Sequence, residues 1–332
     1  MNQTPTQPST APLLLVELPT APEVSAALPA LAREVETAGI HGVTLGDGAL
    51  HPVHLAAFLA PTTERLLLLP HTDAVYVEPF HLATQLASLD HISAGRAGYL
   101  VGADPAGSAL AIAQAQAVGR EPLDAAATAR EVDDVLRTLR LLWDSWADNA
   151  VVRDLEHGRY VDAARLQYVD VEAATFRVRG PAITPRPPQG QVPILVAEPE
   201  RGVIGEETVT ARADGIVWDQ EVDLRGVAAE RVEDELATRL EEATADQVPR
   251  AVRLRPDPAA ITDTVTARGE AGLREVTASF ARAAESLRER GLIAPDGPVG
   301  ASARELLGLT RPEVTIDIAR RADRARTEGV PA

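Results

Sequence analysis

Short apolar runs alternate with amphipathic stretches along most of the chain. Leucine and valine dominate 13–18, between Pro12 and Pro19, and the next run, 42–45, stops at Gly46–Asp47–Gly48. Further runs lie at 66–69, 97–101, 193–196 and 215–218, with a weak one at 252–254 and a last one at 275–279. Each is too short for a helix, and most are bounded by turn-forming or charged residues, as strands buried on both faces are. Between them, amphipathic helices are predicted over 24–38, 79–92, 123–146, the stretch up to 213, 227–245, 261–268 and 280–290. Gly39 and Gly291 sit where helix C-terminal stops belong. This alternation predicts parallel strands joined by crossover helices, as a (β/α) barrel or a doubly wound sheet.

The rhythm breaks at 149–191, a stretch of glycine, proline and charge that includes Pro185–Arg186–Pro187–Pro188–Gln189–Gly190. An excursion with short β pieces, such as 175–178, is expected there, outside the ring of strands. No internal repeat or linker interrupts the rest. The expectation is one barrel domain over 13–311, a flexible N-terminus at 1–12 and a polar tail at 312–332.

Composition narrows the function. The 332 residues are 45% hydrophobic, enough for a sizeable core, but only 3% aromatic, so leucine, valine, isoleucine and alanine must fill it. A net charge of -17 repels nucleic-acid phosphates and anionic lipid, which excludes both as partners. The chain has no lysine, which with its Ala, Val and Pro richness reads as codon bias rather than mechanism. Cysteine is absent, so disulfides, thiolate metal sites and cysteine nucleophiles are excluded. The seven histidines lack metal-ligand spacing. The first twelve residues have neither a basic nor an apolar segment of a signal peptide, and a cytoplasmic location is expected. A serine or zinc hydrolase is disfavoured because neither GxSxG nor HExxH occurs.

Four segments carry a family resemblance. EPFHLATQLASLDHISAGRAG at 78–98 resembles the signature of flavin monooxygenases in the nitrilotriacetate and dibenzothiophene-sulfone branch of the bacterial-luciferase-like superfamily. LLWDSW at 141–146 looks like the end of that family's fourth barrel helix. The stretch 157–195 resembles the branch's Pro-rich excursion before a strand. LRERGLIAPD and ARELLGL resemble its closing segments. The matches fall in order and cover most of the chain. They imply a luciferase-like (β/α)8 TIM-type barrel, and a two-component monooxygenase using O2 and reduced FMN from a separate reductase to oxygenate a small organic substrate. A homodimer is implied as well, with the Ala-rich stretches 82–92 and 109–117 able to pack closely. Leu86, Leu89, Ile92, Leu142 and Trp143 are expected in the core, and Arg96 is expected to tie down the barrel ends.

The resemblance also places the flavin at the C-terminal strand ends, where Asp47, Thr72, Tyr76, Ala103, Arg201 and Gly202 are the candidate contacts. No residue stands out as catalytic. Several family positions are changed. Leu100–Val101–Gly102–Ala103–Asp104 replaces a polar stretch after strand four, and Thr128 and Ala129 stand where the fourth helix carries an Arg–Tyr pair. The phosphate loop reads Ala197–Glu198–Pro199–Glu200–Arg201–Gly202, two carboxylates where small hydroxyl residues are expected. The alternative expectation is therefore a degenerate paralogue with weak or no flavin binding, acting as a binding or partner subunit.

Overall fold

A computed structural model describes residues 11–48, 50–222, 229–242 and 249–314. The terminal segments 1–10 and 315–332 lie outside them, as do the two ends of the helix expected over 227–245. Seven parallel strands close into a barrel. In chain order the first four are β1 (Leu13–Leu18), β2 (Gly42–Leu45), β3 (Leu67–Asp73) and β4 (Tyr99–Gly102). The excursion follows as two antiparallel hairpins outside the ring, β5 (Val151–Asp154) with β6 (Arg159–Val161), and β7 (Asp170–Glu172) with β8 (Arg177–Arg179). The ring resumes with β9 (Ile194–Ala197), β10 (Gly215–Val222) and β11 (Ala251–Pro256). Around the barrel the order is β1-β11-β10-β9-β4-β3-β2.

The strand alternation sorts side chains into two cores. Val16, Leu18, Val43, Leu68, Val101, Ile194, Val196, Val252 and Leu254 face outward and pack in the same apolar cluster as the helices. Leu13, Leu15, Leu67, Leu69, Leu100, Leu195, Val217 and Ala251 face the lumen and form a separate cluster. Ala303 and Leu307, of and just after α10 (Ala303–Leu306), join this inner cluster at the N-terminal end of the strands. Ala303 N donates to Gly95 O there, so ARELLGL floors the barrel.

Arg96 bolts the same end. Its guanidinium donates to Ser93 O, Thr63 Oγ1, Leu66 O and Ala60 O at 2.8–2.9 Å. The turn that delivers it places Ala94 and Gly95 at positive φ, after α3 (Pro79–Ile92) has stopped at Ser93. Leu86, Leu89, Leu142 and Trp143 are core, but Ile92 is 52% exposed at the last position of α3, where the helix has turned it to solvent.

Two expectations about the last third need correction. The run 275–279 is not a strand, and the ring accordingly has seven strands among the described residues rather than eight. Residues 258–289 form one long helical element, α9 (Pro258–Glu289), broken only at Gly269, whose φ of 53 interrupts the helix. After the break, Gly272, Leu273, Val276, Thr277, Phe280, Ala284 and Leu287 are buried, a helical spacing that the local alternation of EVTAS conceals. With no strand between the two helical halves, β11 pairs with β1 directly and closes the ring. No helix among the described residues is long and apolar enough to cross a membrane.

This assignment is tested by unfolding. Phe280→Ala should cost roughly 3–5 kcal/mol in urea denaturation, as truncation of a buried aromatic does. Arg282→Ala, two residues on and exposed, should stay within about 0.5 kcal/mol. Equal costs at the two positions would contradict the helical stripe.

Candidate functional site

The lumen-facing alternation that places leucines low in the barrel places polar groups higher up. Two residues beyond Leu15 comes Glu17, beyond Leu69 comes His71, beyond Val217 comes Asp219, and beyond Ala251 come Arg253 and Arg255. All lie toward the C-terminal strand ends, where the open end of a parallel barrel carries its chemistry.

These groups are joined. Arg253, with a side chain only 2% exposed, forks onto Asp219, Nε to Oδ1 at 2.7 Å and Nη2 to Oδ2 at 2.6 Å. Its third nitrogen, Nη1, lies 3.2 Å from His71 Nδ1. The other imidazole nitrogen, Nε2, lies 2.9 Å from Glu200 Oε1. A guanidinium can only donate, so His71 Nδ1 accepts, and the ring proton sits on Nε2 facing the carboxylate. Arg255 donates to Glu17 Oε2 at 2.8 Å and extends the network along β1. In the ring β11 is separated from β3 by β1 and β2, so the Arg253–His71 contact crosses the lumen. Sequence reasoning missed all five of these strand residues. The available signal was period two: in LLLVEL, LLLPHTD, GIVWDQEV and AVRLRP the charged or imidazole residues fall on the same face as the inner apolar ones.

Beside this bridge lies an acidic corner. Thr72 Oγ1 donates to Asp47 Oδ1 at 3.4 Å, so two candidates from the sequence do meet at the ends of β2 and β3. Burial pushes the Asp47 carboxyl up. Burial, then the charge of Asp104, pushes Asp73 up to about 6, while a hydrogen bond from the Gln114 amide opposes the shift. Ala103 is buried just past β4.

Tyr76 and Arg201 are committed elsewhere. Tyr76 has a φ of 59, which strains an aromatic residue. The strain is held by Glu131, which accepts from Tyr76 N at 2.8 Å, and by Leu123 N, which donates to the phenol oxygen at 2.7 Å. Arg120 lies over the ring, 5.0 Å from its centroid, and binds Glu131 with both Nη atoms. Arg201 forks onto Glu206 at 3.0 and 2.6 Å, and Gly202 follows it in α6 (Arg201–Ile204) with open space where a side chain would stand.

The loop expected to hold a flavin phosphate does not fit one. Glu198 Oε2 accepts from Arg239 at 2.6 Å, and Arg239 stacks on Trp218, so that cation is spent. Glu200 gives one oxygen to His71, and its other oxygen, Oε2, is buried with no donor in reach. A phosphate here would meet an unpaired carboxylate oxygen. Each unit of like charge at about 4 Å costs ~1 kcal/mol in bulk water and ~4 kcal/mol near a protein surface. An acidic loop therefore disfavours a dianion here.

Comparisons with known proteins agree with the fold. The family model described as luciferase-like monooxygenase matches residues 10–291. The dibenzothiophene-sulfone monooxygenase of Rhodococcus erythropolis is 36% identical over 160 residues, 47% of this chain and 34% of that protein. The chain thus spans about a third of the length of the curated relatives of that branch. One of the subunits of pristinamycin IIA synthase, from Streptomyces pristinaespiralis, is 29% identical over 314 residues, 92% of this chain and 97% of that one. Among solved structures, the EDTA monooxygenase of Chelativorans sp. BNC1 superposes with a TM-score of 0.65 at 14% identity, covering 91% of this chain and 100% of that one, a likeness in fold alone.

The acidic corner carries its own test. A carboxyl raised to about 6 from an ordinary 3.8 binds a proton in the folded state that the unfolded chain has already released. Asp73 therefore costs stability that grows as pH rises from about 4 to about 6 and persists above. Asp73→Asn keeps an acceptor for Gln114 and removes the charge. It should raise stability on the order of 1 kcal/mol at pH 8 and change it little at pH 4. Thermal melts at the two pH values read the difference, and an equal effect at both would contradict the charge explanation.

Proposed function

Because the chain belongs to the luciferase-like monooxygenase family, we propose that it serves a flavin-dependent monooxygenase, in which reduced flavin and O2 oxygenate a small organic substrate. The reduced flavin comes from a separate reductase that meets the enzyme transiently. What supports this reading is the family match over most of the chain together with the closed parallel barrel that the chain builds. The polar strand ends are where such chemistry sits on this architecture.

Two roles within such an enzyme are open to the chain. In the first it holds the flavin itself, at Asp47, Thr72, Tyr76, Ala103, Arg201 and Gly202. In support, Asp47 and Thr72 meet at the strand ends. In the second it is a companion barrel. In support, it resembles one subunit of a synthase over nearly the full length of both chains, and its phosphate loop is acidic. In either role, pairing of two copies is supported by α3 and α2 (Pro52–Leu59). These helices expose Phe58 and Ile92 and carry no exposed Asp, Glu or Arg, so copies of charge -17 can meet there.

The test is independent of substrate identity. An extract of source cells lacking the chain is given NADH, a flavin reductase, FMN and isotope-labelled O2. Adding the purified chain back should restore a product that carries one labelled oxygen. No chain-dependent labelled product would contradict the proposal. Pairing is read separately: light scattering at micromolar concentration should report a dimer, and a monomer would contradict it.

A further inference from the structure

We infer that the open end of this barrel is closed to an isoalloxazine ring by the chain's own cross-lumen bridge, so that the chain does not itself hold the flavin. The inference rests on the monooxygenase reading above and chooses between its two roles.

Three observations carry it. First, the bridge is continuous. From β10 to β11, across to β3 and on to the loop after β9, Asp219, Arg253, His71 and Glu200 are linked by contacts of 2.6–3.2 Å. A planar ring needs a slot of about 7 Å, two van der Waals separations, between the atoms above and below it. No such slot exists along this line. Second, the central residue is held at all three of its guanidinium nitrogens. Arg253 gives two nitrogens to Asp219 and one to His71, and its side chain is 2% exposed, so swinging it aside would break three hydrogen bonds and leave Asp219 only its longer 3.6 Å contact with Arg255. Third, the ring is small. Barrel diameter grows roughly linearly with strand number, and seven strands enclose less space than eight.

The acidic loop and the bridge predict different behaviour for flavins with and without phosphate, and this separates them. Fluorescence-quenching titrations of the full chain with FMN and riboflavin should show saturable binding of neither up to millimolar concentration. The change Glu198→Gly with Glu200→Ser removes the repulsion on the phosphate and only one end of the bridge. It should leave FMN binding undetectable, because Arg253 and His71 still cross the lumen. The pair His71→Ala with Glu200→Ser opens the line and leaves the Arg253–Asp219 fork intact. With an unchanged circular dichroism spectrum, it should bind riboflavin at least tenfold tighter than wild type does.

Riboflavin binding by the wild type would overturn the inference, as would FMN binding by the wild type or by the loop variant. A folded His71→Ala/Glu200→Ser protein that still binds no riboflavin would overturn the bridge as the obstacle. None of these outcomes touches the labelled-oxygen result, which alone decides whether the chain serves a monooxygenase.

Discussion

Arg253 is the constraint on which the open end of this barrel depends. It lies on the strand that closes the ring, it is buried, and it faces a lumen whose lower half is leucine, valine and alanine. A guanidinium in that position costs several kcal/mol of desolvation unless its donors are met. Asp219 on the neighbouring strand and His71 across the lumen meet a donor on each of its three nitrogens, and Glu200 in turn accepts from the N–H that His71 must then carry on Nε2. One buried cation thereby dictates the side chains of two further strands, one imidazole tautomer and the orientation of the loop after β9. That loop is where an anion-binding loop would be expected, and its acidic character follows from serving the bridge.

The barrel itself was largely legible in the sequence. The run of leucines at 13–18 and the run at 42–45 are strands with those bounds, and 79–92 is a helix with those bounds, because glycine and proline punctuate them. The excursion was legible from its broken rhythm. Arg96 could be read as a structural tie because it follows a helix stop and a Gly turn, a place where backbone carbonyls converge.

What was not legible has physical causes. Residues 275–279 alternate like a strand over five positions, and only the longer spacing from Leu273 to Leu287 shows the helix. The inner polar residues escaped notice because burial on both faces makes a strand read as one apolar run, and an arginine or histidine inside it looks like the end of the run. Asp47, Thr72 and Tyr76 were singled out by the family resemblance; Asp47 and Thr72 do meet at the strand ends, whereas Tyr76 has its phenol oxygen and its backbone N–H engaged on the connection before α5 (Ala125–Trp143). A single sequence carries no signal for which direction a strained residue points.

The tautomer of His71 tests the account most directly, since it is imposed by the cross-lumen contact and by nothing in the local sequence. A long-range proton–nitrogen correlation spectrum of nitrogen-labelled protein near neutral pH, with His71→Gln used to assign the signal, reads it. The account predicts a single-proton imidazole with its proton on Nε2 and an acceptor at Nδ1, and predicts that Arg253→Leu abolishes this fixed state. A proton resident on Nδ1, or exchange between tautomers in the wild type, would contradict the bridge.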